Sequence, residues 1–180
     1  MLKVITPPAS EPVSLDDFKA WMQGLPISTE QEPMVASLLK AGREEAEAYQ
    51  NAAYCEQTLQ IAPDDLSGAI VLPRPPFKEL KSVVAYMADG TEQDITDLFE
   101  INDNVKPVEL SLKYGASLPG PLRAINPVLI TYTSGYDAIP EKVKQAILLY
   151  AAWAYRNREG GEGIPAAFYN LLSKGRVIPV

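Results

Sequence analysis

Val128-Leu129-Ile130-Thr131-Tyr132-Thr133-Ser134-Gly135-Tyr136-Asp137-Ala138-Ile139-Pro140 is where the chain changes period, and its reading decides the fold. The first six of these residues are β-branched, aromatic or aliphatic, which suits a pleated, half-buried strand. Pro140 then stands at a first helical position, with Glu141 in the first turn. Beyond it comes Ala146-Ile147-Leu148-Leu149-Tyr150-Ala151-Ala152-Trp153-Ala154-Tyr155, ten residues without a charge. A helix is expected over 140–158, because Gly160-Gly161-Glu162-Gly163 cannot sustain it. Three turns with no charge on any face must be covered all round. Two coverings are open: neighbouring helices, which make this a central core helix, or a second subunit packed on one stripe, where Trp and Tyr are enriched.

Upstream, residues 57–135 carry the strand period. Thr58-Leu59-Gln60-Ile61 alternates, and Ala69-Ile70-Val71-Leu72 is a short apolar run ended by Pro73-Arg74-Pro75-Pro76. Residues 83–87 and 91–95 flank Asp89-Gly90, a hairpin whose turn favours φ > 0 residues. Residues 99–101 and 109–114 are weaker strands, and prolines at 107, 119, 121 and 127 confine the connections to loops or edges. About six short strands point to a small antiparallel sheet or partial barrel.

Residues 1–56 read as helical after an extended, proline-rich opening. Ser14 with Asp17 forms a variant capping box, and Leu15, Phe18 and Met22 follow at helical spacing with Trp21 beside them. This helix, 15–23, stops before Gly24-Leu25-Pro26. A second helix, 33–53, is capped by Ser28 or Thr29. It buries Val35, Leu38, Leu39, Ala41, Gly42, Ala46 and Tyr49, and carries Lys40, Arg43, Glu44, Glu45 and Glu47 on its other face. Gly42 costs about 1 kcal/mol against alanine in a helix interior and so points to close packing. A last short helix, 166–172, ends before Gly175, and Arg176-Val177-Ile178-Pro179-Val180 is an extended tail. The expected fold class is α+β: a helical bundle of 15–23, 33–53 and 140–158, with a β block, 57–135, inserted between the second and third main helices. Residues 1–180 are read as one domain.

Composition narrows the function. Apolar residues make up 47% and charged residues 22%, enough for a buried core. Net charge is −7 and the pI near 4.7, which argues against a dedicated nucleic-acid or anionic-membrane binder. The basic residues Lys106, Lys113, Lys142 and Lys144 are scattered. Histidine is absent, which removes Ser-His-Asp and Cys-His catalysis and the commonest metal ligand. The single cysteine, Cys55, forms no internal disulfide and reads as buried filler, with no basic neighbour in sequence to activate it. The longest apolar run is half of the ~20 residues a bilayer requires, and the start has no secretion-signal core, so a soluble protein made in the cytoplasm is expected.

Catalytic motifs are missing as well: no phosphate loop, dinucleotide fingerprint, C-x-x-C or nucleophile elbow occurs. Gly160-Gly161-Glu162-Gly163 follows a helix and lacks a basic partner, so it reads as a linker rather than an anion nest. Asp64-Asp65 and Glu44-Glu45 are adjacent pairs whose side chains point apart, as solvated charge does. Asp89, Glu92 and Asp94 do not fall at calcium-loop positions. No cofactor and no metal site are expected.

The order of short motifs carries a resemblance over nearly the whole chain. Val13-Ser14-Leu15-Asp16, Ala41-Gly42-Arg43-Glu44-Glu45-Ala46-Glu47-Ala48-Tyr49 and Leu72-Pro73-Arg74-Pro75-Pro76 come first. Then come Ile130-Thr131-Tyr132-Thr133-Ser134-Gly135-Tyr136, Ile139-Pro140, Lys144-Gln145-Ala146-Ile147-Leu148-Leu149, Tyr155-Arg156-Asn157-Arg158-Glu159, Ile164-Pro165 and Leu171-Leu172. In this order they resemble the head–tail connector (head-completion, or adaptor) proteins of long-tailed double-stranded-DNA phages. The resemblance implies a non-enzymatic virion protein at the head–tail junction. It would form a ring of its own copies, usually twelve-fold, between the portal and the tail or stopper, and pass duplex DNA with only weak, non-specific contact. The family's arginine near the carboxyl end corresponds to Arg176, and Val177-Ile178-Pro179-Val180 extends beyond the pattern. Tyr150, Trp153 and Tyr155 are expected to divide between core and subunit contact, with Arg156, Arg158 and Glu159 bridging to a neighbour. The competing reading is a small enzyme or ligand-binding module with a β-lined pocket, and native mass separates the two.

Overall fold

Ser14 starts the first helix as its side chain demands. Its Oγ accepts from the Asp17 amide at 3.1 Å, and the Asp17 carboxylate accepts from the Ser14 amide at 2.9 Å. Two otherwise orphaned helix-start donors are thereby paired. The structure, a computed structural model, describes residues 2–23, 26–158 and 163–176. It contains α1 (Leu15–Trp21), α2 (Glu32–Gln50), α3 (Glu141–Arg156) and α4 (Ala166–Leu172), with a β block between α2 and α3. The chain is mixed α+β and divides into two compact units: Ala9–Cys55 with Tyr136–Val180, and Met1–Pro8 with Glu56–Gly135.

In the helical unit, α2 is entered through a 3-10 turn, Thr29–Gln31, and has Pro33 in its first turn. It ends at Gln50 because Asn51 takes the left-handed conformation (φ 53°) and returns its amide to the Glu47 carbonyl. α3 ends at Arg156 rather than 158, since both the amide and the side chain of Asn157 turn back on the Trp153 carbonyl. α2 and α3 run antiparallel. The Tyr136 amide bonds the Tyr54 carbonyl at one end of the pair, and the Tyr155 hydroxyl faces Gln31 at the other. Gly42 lies at their crossing: a Cβ there would meet the Tyr150 ring at 3.0 Å and the Ile147 carbonyl at 3.3 Å. The close packing expected of that glycine is present. Phe18, Val35, Leu39, Ala46, Val143, Ile147, Ala151, Phe168 and Leu172 form the core, each buried side chain the size of Leu or Phe worth ~1.5–3 kcal/mol.

The other unit holds eight described strands: β1 (Leu2–Thr6), β2 (Gln57–Ile61), β3 (Ile70–Val71), β4 (Phe77–Tyr86), β5 (Glu92–Asp94), β6 (Phe99–Asn102), β7 (Glu109–Leu112) and β8 (Val128–Ser134). They form two antiparallel sheets, ordered β1-β2-β8-β4-β5 and β3-β7-β6. β8 is central, and its alternation sends Val128, Ile130 and Tyr132, all fully buried, toward Leu59, Val83, Ala85, Phe99 and Leu110. Gly90, at φ 90°, closes the β4–β5 hairpin as its turn type requires.

One part of the sequence reading is corrected. Leu2–Thr6, inside the block 1–56 expected to be helical, is an edge strand of the five-stranded sheet, paired Leu2↔Ile61 through Thr6↔Thr58. Its partner is more than fifty residues away in sequence, so no local pattern announces it. Gly160-Gly161-Glu162, read as linker, and Val177–Val180, read as extended, lie outside the described residues.

Candidate functional site

The uncharged run on α3 finds most of its cover within the helical unit. Tyr155 is 9% exposed. Its ring meets Phe18 edge-on at 6.1 Å, and its carbonyl accepts from Arg158 Nε at 2.8 Å. The Arg158 guanidinium lies 4.3 Å above the Tyr155 ring, so this cation folds back on its own chain. Tyr150 packs on Phe168 at 5.6 Å, on Trp153 at 5.7 Å and against Gly42. Burial raises the Tyr150 pKa, and the charge of Glu45 adds to the effect.

Trp153 and Arg156 behave differently. They line a cleft of about 260 Å³ with Trp21, Met22, Leu149, Ala152, Asn157 and Pro165. Arg156 is exposed, Trp153 is half-buried, and Trp21 is 44% exposed. The indole Nε1 of Trp153 is buried and has no acceptor among the described residues. A buried N–H without a partner forfeits roughly 1–3 kcal/mol. Of the six side chains singled out in the sequence, Trp153 and Arg156 thus share the cleft, while Tyr150, Tyr155 and Arg158 are engaged within the chain. Glu159 lies outside the described residues. The contribution of α1 to the cleft was not read from the sequence; the available signal was Trp21, a large aromatic standing beside the Leu15–Phe18–Met22 stripe.

A second constellation contradicts the sequence reading. Arg43 and Glu47, placed there on the outer face of α2, are 4% and 1% exposed. Arg43 Nε donates to Glu11 Oε2 and Nη1 to Glu47 Oε2, both at 2.7 Å. Glu47 Oε1 accepts from the Tyr54 amide at 2.8 Å, and the Tyr54 hydroxyl donates to Gln50 Oε1 at 2.7 Å. Gln50 in turn donates to the Leu172 carbonyl. Burial works to lower the Arg43 pKa, but its bonds and charge pairing with Glu11 and Glu47 outweigh that and hold it above the ordinary value. Burial also raises the Tyr54 pKa and pushes the adjacent Cys55 thiol up to about 11. Each of these side chains is paired, so this is structural cement for α2, α4 and the chain entering α1. Among the described residues no cluster of three His, Cys, Asp or Glu side chains is placed to hold a metal ion.

No family model and no curated protein matches the sequence. Among solved structures, the chain is similar over 100% of its length to a chain in the virion of the native gene transfer agent (GTA) particle. That match has a TM-score of 0.80 and 20% identity, and covers 97% of that chain. It is likewise similar to chains in the neck of the empty GTA particle, computed with C6 symmetry (TM-score 0.80, 22% identity), and of the native GTA particle, computed with C12 symmetry (TM-score 0.78, 22% identity). Each covers 100% of this chain and 97% of that chain. The fold is shared from end to end.

Proposed function

We propose that the protein is a structural connector subunit of a phage-like particle. It forms a ring, twelve-fold in the assembled neck, between the portal and the tail or stopper, and passes DNA without catalysis. The observation that carries this reading is the end-to-end likeness to chains of particle necks solved with six- and twelve-fold symmetry. The site chemistry is in keeping with it: among the described residues the buried charged groups are paired to one another, and the open cleft is walled mostly by apolar side chains, which suits contact rather than bond-making. A net charge of −7 on each subunit repels phosphate over the ~8–10 Å Debye length of physiological salt, so DNA slides past with weak, salt-sensitive contact.

Native mass spectrometry and light scattering across concentration test the ring. The expected result is a closed oligomer, and a 19.7 kDa monomer at every concentration overturns the reading. Anisotropy with duplex DNA tests the passage. Submicromolar affinity at 150 mM salt, about a hundred-fold tighter than common non-specific binding, contradicts it.

A further inference from the structure

We infer that a pocket on the five-stranded sheet, lined by Lys3, Gln60, Leu129, Arg123 and Asn126, is a carboxylate site that takes an acidic side chain of a partner protein segment. The inference goes beyond the ring reading and does not depend on it. Three observations carry it.

The first is how the pocket is built. Lys3 on β1 pairs with Gln60 on β2, Gln60 pairs with Thr131 on β8, and Leu129 stands two residues along on that same face. Leu59 and Ile130, which alternate with them, point to the core. The loop 123–127 is tied down at Tyr86: the Arg123 amide donates to the Tyr86 carbonyl at 2.9 Å, and the Tyr86 amide donates to the Pro127 carbonyl at 2.8 Å. Three strands and an anchored loop thus enclose a cavity of about 200 Å³. The second is the state of its two cations. Lys19, Lys78, Lys81 and Lys144 each meet a carboxylate, but among the described residues Lys3 and Arg123 meet none. Arg123 is nevertheless held in place. Its guanidinium lies 3.9 Å over the Tyr86 ring, and Nε and Nη2 donate to the Asn126 carbonyl at 2.9 and 2.7 Å. The Nη1–Nη2 edge of the fork remains, which matches a carboxylate, and the side chain is ordered before any ligand arrives.

The third observation selects a side-chain carboxylate over a nucleic-acid phosphate. The remaining walls, Ile61, Ala62 and Leu129, are apolar and suit the methylene stem of a glutamate or aspartate. Duplex DNA carries about one charge per 1.7 Å of axis and so presents many charges beyond the one that would enter the pocket. Glu92 and Asp94 lie on the same face of the sheet, opposite Tyr86 and Val84, and Val84 is itself opposite Leu129. These two carboxylates, with the net charge of −7, oppose a continuous polyanion far more than they oppose one carboxylate.

The test is photoaffinity labelling of the full-length chain with an end-blocked tetrapeptide of glycine, glutamate, benzoylphenylalanine and glycine, read by mass spectrometry. The expected adducts fall on the peptides carrying Lys3, Gln60 or residues 123–129. At subsaturating probe their yield is about ten-fold above that of the same peptide with glutamine for glutamate, the lower end of the weight of a hydrogen bond to a charged group. Arg123→Gln is expected to lower the yield by about the same factor. Because that change also frees the Asn126 carbonyl, Lys3→Gln, which leaves the loop 123–127 untouched, is the second variant. It should lower the yield about two- to three-fold, as befits an exposed charge, and added salt should shrink its effect. An Arg123 that only staples the loop leaves the glutamate and glutamine probes labelling alike, and that result overturns the inference. So do adducts confined to other surfaces, or parental yields in both variants. Displacement of the probe by duplex DNA at a lower concentration than by the unlabelled glutamate peptide assigns the pocket to phosphate and overturns it as well.

Discussion

Replacing Glu47 by alanine is expected to destabilise the helical unit by about 3–5 kcal/mol, the range for breaking a buried ion pair by removing one partner. The figure rests on the groups left unpaired. Arg43 Nη1 loses an acceptor at 2.7 Å and the Tyr54 amide loses one at 2.8 Å, and the Arg43 and Glu47 side chains are only 5% and 2% exposed before the change. Glu11 still holds Arg43 through Nε at 2.7 Å, which keeps the guanidinium compensated and the loss inside that range rather than above it. Glu44, three residues earlier and 57% exposed, is the control: Glu44→Ala should stay within about 0.5 kcal/mol of the parent. Urea unfolding followed by tryptophan fluorescence is the suitable assay, since both tryptophans, Trp21 and Trp153, belong to the helical unit. With an m-value of about 2 kcal/mol/M, the midpoint falls by roughly 2 M for Glu47→Ala and hardly moves for Glu44→Ala. Arg43→Met with Glu47→Leu should recover part of the loss, because Glu11, 30% exposed, re-solvates while the Tyr54 amide still lacks its acceptor. A Glu47→Ala midpoint equal to that of Glu44→Ala would falsify the network as described.

Gly42→Leu should cost at least 1–3 kcal/mol by chemical denaturation, because the new side chain enters at 3.0 Å from the Tyr150 ring and 3.3 Å from a backbone carbonyl; unchanged stability contradicts the close crossing. Cys55, buried and with its thiol pushed up to about 11, stays neutral at pH 8. Its reaction with a disulfide reagent should wait for unfolding, and immediate stoichiometric labelling of the native chain refutes this. The Ser14 hydroxyl and amide hold the Asp17 carboxyl below its ordinary value of 3.8. A depressed carboxyl stabilises above its unfolded pKa and loses that contribution as pH falls through its folded one, so α1 frays only in acid. Carboxyl NMR titration should place the Asp17 midpoint below 3.8, rising toward it in Ser14→Ala, which removes the hydroxyl and keeps the amide.

Where the determinants are local, the sequence shows them. The alternation of Val128, Ile130 and Tyr132, the Ser14–Asp17 box and the Asp89-Gly90 turn each act within a few residues, and each element stands where its pattern places it. Strand β1 escapes because what makes it a strand is Ile61 and its neighbours, not Leu2–Thr6 alone. Arg43 and Glu47 escape for a related reason. Hydrophobic patterning sends every charge outward, and two charges go inward only when partners meet them, here Glu11 32 residues upstream and the Tyr54 amide beyond the helix end. A charge pair four apart on a helix reads the same in sequence whether solvent or protein surrounds it.

The same distinction resolves the uncharged run on α3 residue by residue. A helix apolar on all faces poses one question, what covers it, and the covers come from different distances along the chain. α2 covers one stripe at Gly42, α4 a second through Phe168 on Tyr150, and α1 a third through Phe18 on Tyr155. The remaining stripe is Leu149, Trp153 and Arg156, which faces the open cleft beside Trp21, Met22 and Pro165. Composition alone cannot separate that stripe from the other three, because Trp, Tyr and Leu serve core and contact surface alike. Its hydrogen bonding does separate it. The Tyr155 hydroxyl faces Gln31, and the Arg158 guanidinium rests on the Tyr155 ring and donates to the Tyr155 carbonyl, whereas the Trp153 N–H is buried without an acceptor among the described residues. Among the described residues of the helical unit, this stripe alone carries a buried side-chain donor without a partner, an unfavourable feature the other three stripes avoid.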